Sequence, residues 1–92
     1  VFCQTENSIK AIDIVEKKIV FKFVNESVIS TFLIADNKIF ITDVKGWLKI
    51  CDITTNKLLN EFDLKLLVEK IAFINNKLIL KSRYSLDIFD IE

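Results

Sequence analysis

The chain has no histidine, no proline, no methionine and a single glycine, Gly46. Without histidine it lacks the usual proton shuttle near neutral pH and the commonest neutral metal ligand. One glycine cannot build a glycine-rich phosphate loop. Ser27 and Ser30 have no histidine to activate them. Carboxylates such as Asp87 and Asp90 do not share a strand face. The two cysteines, Cys3 and Cys51, form neither a Cys-x-x-Cys pair nor a dense disulfide pattern, so they read as buried free thiols. Charge of one sign is also missing: 13 Lys and Arg balance 13 Asp and Glu. That removes a general pull toward nucleic acid or an anionic membrane. No run of 18 apolar residues exists, so no transmembrane helix is expected, and no signal peptide is visible. The expectation is a chain that is not an enzyme, with no catalytic, cofactor-binding or metal-binding residues.

What is present is apolar and finely divided. Hydrophobic residues make up 51% of the 92 positions, too many for disorder and enough for one small domain. From Val28 to Phe62, short β-branched and aromatic runs are separated by turns at Ala35-Asp36-Asn37, Asp43-Val44-Lys45-Gly46 and Thr54-Thr55-Asn56. This spacing predicts four short strands. Val28 to Ala35 also admits a helix, but its β-branched content favours a strand. Val1 to Gln4, Ser8 to Ile14, Lys18 to Phe23, Val68 to Ile74, Lys77 to Lys81 and Leu86 to Ile91 read as further strands. Val24 to Ser27 reads as a linker. So does Asp63 to Val68, with a brief helical turn through Leu64 to Leu67.

The pattern repeats. Sliding the chain by 39 positions sets Ile9–Ile14 on Leu48–Ile53, Lys18–Phe23 on Lys57–Phe62 and Asn37–Ile41 on Asn76–Leu80. A slide of 38 sets Leu48–Ile53 on Leu86–Ile91. A period near 39 with about four strands per unit is the sequence sign of a β-propeller blade. Along Trp47 to Ile53, Leu48 and Ile50 share one face with Asp52, while Trp47, Cys51 and Ile53 share the other with Lys49. Both faces are largely apolar, as a sheet sandwiched between neighbours requires. The expected fold is therefore all-β: a propeller segment of four-stranded antiparallel blades, about two and a half of them. Residues 1–23 would end one blade, 28–62 form a complete one and 68–92 form most of a third. Such a wedge, starting at Val1 rather than methionine, suggests a piece of a longer polypeptide.

Asp13, Asp52 and Asp90 occupy equivalent positions, each before a turn whose backbone N–H groups a carboxylate can accept. Asp43 and Gly46 serve the tight hairpin in the same structural sense. Trp47 follows Gly46 at the hairpin rim, where an aromatic side chain either fills a core or meets a partner protein. Lys45, Lys49, Arg83 and Tyr84 are candidates to join it as protein contacts.

The segment Asp43-x-x-Gly46-x-Leu48-Lys49-Ile50-Cys51-Asp52 resembles the D-x-x-G-x-I-K-I-W-D ending of a degenerate WD40 repeat. Cys51, Ile12 and Phe89 stand where that family commonly has tryptophan, and its Gly-His pair is absent. Lys10 to Phe23 resembles a quinoprotein-like propeller repeat, the runner-up. The WD40 resemblance implies a non-catalytic protein-interaction scaffold in an intracellular, cytoplasmic complex. Its partners would be other proteins or remaining blades of the same polypeptide, with no cofactor. The alternatives are a quinoprotein-like enzyme or envelope assembly factor acting through residues elsewhere, and a scaffold subunit of a ribonucleoprotein complex.

Overall fold

A computed structural model describes residues 2–90. Among the described residues ten strands follow one another with no helix between them. They are β1 (Phe2–Gln4), β2 (Ser8–Asp13), β3 (Lys18–Val24), β4 (Ile29–Ala35), β5 (Lys38–Asp43), β6 (Trp47–Asp52), β7 (Lys57–Asp63), β8 (Val68–Ile74), β9 (Lys77–Ser82) and β10 (Leu86–Asp90). Val1 and Ile91, expected in the first and last strands, lie outside the described residues. The helical alternative for Val28 to Ala35 is not taken, because β4 pairs along β5. Leu64 to Leu67 makes a bend with Lys65 at φ 56°, not the expected helical turn.

All pairs are antiparallel, and each sheet is a simple meander: β1-β2-β3, β4-β5-β6-β7 and β8-β9-β10. The 39-residue period is written into the backbone. Asp36-Asn37 and Asn75-Asn76 are two-residue hairpin turns in which both residues have positive φ. Paired positive φ values match the twist of the flanking strands, and Asn and Asp tolerate them at low cost. Lys17 and Asn56 hold matching left-handed positions, at φ 58° and 57°. Register shifts also recur. Ser30 is skipped between β4 and β5, and Glu69 between β8 and β9. Val20 is skipped between β3 and β2, and Leu59 between β7 and β6.

Two cores lie between the three sheets. Ile9, Ala11 and Phe21 of the first sheet meet Ile29, Ile39, Ile41 and Cys51 of the second. Phe40, Leu48 and Ile50 on the opposite face of the second sheet meet Val68, Leu78 and Leu80 of the third. Phe40 stacks on Phe73 at 5.5 Å, and Phe62 meets Phe89 edge-on at 4.9 Å. The β6 alternation explains why the middle sheet is apolar on both sides: Leu48 and Ile50 enter one core and Cys51 the other.

The expected four-stranded blades of a propeller are corrected here. The sheets have three, four and three strands, each is open at both edges, and no closure is present among the described residues. Among the described residues the first and third sheets share no core; each packs on the middle one. A repeat period specifies strands, turns and neighbour packing. It does not by itself bring the first sheet to the last.

Candidate functional site

The connection from β3 to β4 and the β5–β6 hairpin meet at one end of the first interface. The Asn25 N–H donates to the Asn7 carbonyl at 2.7 Å, and the Ile29 N–H to the Glu6 carbonyl at 2.7 Å. The connection is thereby tied to the β1–β2 turn. The Asn25 side chain, 3% exposed, is the hub. Its amide donates to Asp43 Oδ2 at 2.9 Å and to the Ser27 carbonyl at 2.9 Å, while its Oδ1 accepts Lys49 Nζ at 2.5 Å. Asp43, 2% exposed, uses Oδ1 for the N–H groups of Lys45 at 3.0 Å and Trp47 at 3.1 Å. Burial by itself pushes the Asp43 carboxyl up, but hydrogen bonds from Asn25, Trp47, Ser27 and Lys45 together outweigh it. They hold the carboxyl below its ordinary value of 3.8.

Above this network opens a cleft of about 200 Å³, lined by Glu26, Ser27, Asp43, Lys45, Trp47, Lys49 and Glu61. Trp47 and Lys49 reach it because residues two apart on a strand share a face. Glu61 pairs with Lys49 in register across β6 and β7. The Lys49 ammonium also sits 5.9 Å from the Phe23 ring centre.

The equivalent corner of the second interface is built differently. Leu64, Lys65 and Leu66 stand 39 positions after Asn25, Glu26 and Ser27. The backbone tie is the same, since the Leu64 N–H donates to the Gly46 carbonyl at 2.9 Å. There, however, Leu64 and Leu66 pack onto the core. Apolar side chains pack at one corner, and polar ones line the open cleft at the other.

Of the sequence-stated contact residues, Lys45, Trp47 and Lys49 come together in the cleft. Arg83 and Tyr84 do not line it. They sit exposed at the β9–β10 turn, with the guanidinium 5.6 Å from the tyrosine ring centre. Asp13 Oδ1 accepts the N–H groups of Val15 and Glu16, and Asp52 Oδ1 that of Thr55. Asp90 ends β10, and the residues after it lie outside the described ones. Gly46 takes φ +92°. Sequence reasoning missed Asn25, Glu26, Ser27 and Glu61. Asn25 read as linker because nothing local marks a polar residue that long-range packing will bury. Cys3 is exposed rather than buried, because β1 is an edge strand and Cys3 points away from the core. Cys51 is buried, and burial pushes its thiol up to about 11 against the opposing influence of Lys49. Among the described residues no group of His, Cys, Asp and Glu is placed to hold a metal ion.

No protein-family model matches the chain, and no curated protein matches it. Two solved structures of computationally designed proteins are similar in fold. Ika8 has a TM-score of 0.81 and 19% identity over 94% of this chain. Ika4 has a TM-score of 0.77 and 16% identity over 99%. The chain spans 28% of the first and 64% of the second. At these identities the likeness is one of fold alone. The WD40 resemblance and its quinoprotein-like alternative are therefore corrected, and so is the reading as a propeller scaffold: the sheets are open, no family model supports either name, and the similar structures are designed proteins.

Proposed function

We propose that the chain is a non-catalytic β-sheet module that docks another polypeptide on the outer face of its third sheet. The observation that carries this reading is the apolar band on that face. Cross-strand register aligns Ala72, Ile79 and Ile88 in one row, with Ile74 beside Ala72 and Leu86 beside Ile88. Ile88 is 70% and Leu86 68% exposed. Both internal interfaces are made by sheet faces of this kind, so the partner is a second apolar sheet face. At the other end of the molecule Cys3, Lys10 and Lys22 form the central row of the outer face and separate the exposed Ile19 from the exposed Val24.

The non-catalytic part of the reading rests on side-chain chemistry. The Cys51 thiol is buried and protonated at neutral pH, and Ser30 shares its hydroxyl bonds with Thr42 and the Val68 carbonyl rather than with a base. Light scattering over a concentration series tests the docking. The free chain is expected to self-associate through this band, and Ile88→Lys to return it to a monomer. A chain that stays monomeric throughout and binds no apolar dye overturns the proposal.

A further inference from the structure

We infer that the cleft between the first and second sheets is a receptor for one guanidinium group, carried by an arginine side chain of a partner polypeptide. The cleft is distinct from the outer face of the third sheet and does not depend on it.

Size comes first. About 200 Å³ accommodates a single side-chain head, and lies below the roughly 300 Å³ and more of pockets that enclose whole small molecules. Charge comes next. Three carboxylates and two ammonium groups line the cleft. Lys49 is committed internally, to Asn25 Oδ1 at 2.5 Å and to the Phe23 ring. Asp43 is committed too, to Asn25 and two backbone N–H groups, and forms a fixed negative floor. The side chains of Glu26 and Glu61, by contrast, enter no hydrogen bond or ion pair among the described residues. The groups free to meet a ligand are therefore two carboxylates, the Lys45 ammonium and the half-buried Trp47 indole.

An anion would meet two carboxylates and the Asp43 floor with one free lysine to hold it. A cation finds two free acceptors and an aromatic wall. Between cations, a guanidinium is favoured over an ammonium. It is planar, it stacks on an indole face, and its fork of donors bridges separate carboxylates.

The repeat shows that this corner departs from its own template. At the second interface Leu64 and Leu66 replace Asn25 and Ser27 and pack onto the core, and Lys65 stands where Glu26 stands. The hairpin positions equivalent to Asp43 are Gln4 and Ser82, which bear no charge. An apolar corner packed on the core is within this fold's means, so the polar open one is not a by-product of the turn geometry.

The chain has one tryptophan, and it lines the cleft, so the site carries its own reporter. N-acetyl-L-arginine amide is titrated against the full chain while Trp47 emission and the indole N–H resonance are followed. A saturable change is expected, weakened about threefold or more by Glu26→Gln or Glu61→Gln and further by both, and reduced at high salt. Both glutamates are exposed, so circular dichroism is expected to show unchanged folding in the variants. N-acetyl-L-lysine amide is expected to bind more weakly, and N-acetyl-L-aspartate amide not at all. No saturable response to the arginine probe, a response that survives the double glutamine variant, or a preference for the aspartate probe overturns the inference. The Ile88→Lys variant keeps the cleft intact, so failure of docking at the third sheet leaves this titration unaffected.

Discussion

Replacing Asp43 by asparagine changes one atom's chemistry and little of the shape, and the hydrogen-bond network makes its cost calculable. The asparagine oxygen can still accept the Lys45 and Trp47 N–H groups at the Oδ1 position. Its new NH2 then points at the Asn25 amide, which is itself a donor, where Oδ2 now accepts at 2.9 Å. Turning the new amide over places NH2 against the two backbone donors instead. Turning Asn25 over sets its oxygen on the Ser27 carbonyl and its NH2 on the Lys49 ammonium. No arrangement satisfies every group. The loss is one charge-assisted bond plus a buried donor facing a donor, about 2–3 kcal/mol. With a urea dependence of about 1–1.5 kcal/mol per molar for a domain of this size, the unfolding midpoint falls by about 2 M. Trp47 emission follows the transition. Asp52→Asn serves as the control: Asp52 accepts the Thr55 N–H in an exposed turn, so its amide costs less than about 0.5 kcal/mol. Equal effects of the two substitutions would refute the reasoning. The pH dependence has a definite sign. The Asp43 carboxyl titrates below 3.8 in the fold, so its stabilisation is complete above the unfolded value and is lost as pH falls through the lower folded one. Asp43→Asn should therefore flatten the acid limb of stability below pH 3.8.

Two further outcomes follow from the same structure. Gly46→Ala should destabilise by about 2 kcal/mol or more in thermal or urea unfolding, since its φ is +92° and a Cβ would lie 3.0 Å from the Leu66 nitrogen; an unchanged midpoint would show that this turn relaxes. Ellman's reagent should titrate one thiol rapidly in the native chain, Cys3, and reach Cys51 only on unfolding; two fast thiols would contradict the packing of Cys51.

Much of the local structure is legible in the sequence. Alternation along Trp47 to Ile53 separates the two faces of β6, and the turn residues Asp36-Asn37 and Asn75-Asn76 mark hairpins because Asn and Asp reach positive φ. The 39-residue offset even locates the paired bulges once the register is known. Sheet closure is not legible, because it depends on how sheets far apart in the chain are arranged. The cleft is only half legible. Lys45, Trp47 and Lys49 stand close together in sequence, on one hairpin. Asn25 arrives from the β3–β4 connection and Glu61 from β7, and no neighbouring residue signals that Asn25 will be buried. Cys3 shows the converse: a residue type that is usually interior lies outside because β1 has only one strand beside it.

The unbroken meander has a consequence for how this molecule comes into being. Every strand pairs with a neighbour in sequence, so each sheet closes only short loops. The entropy lost in bringing such partners together is small, and formation should be quick for an all-β chain. The three sheets are also not peers. The outer two each hold one covered face, while the middle one is clasped from both sides. A growing polypeptide can therefore lay down the first sheet as a tentative platform, gain cooperativity when the second arrives, and fix both as the third closes over Phe40 and Leu48. In a nearest-neighbour description of stability, the middle sheet enters both coupling terms and each end sheet only one. Fraying should begin at the two ends and reach the centre last, which leaves the Asn25–Asp43 network, shared between the first sheet and the second, as the earliest interface to loosen on one side.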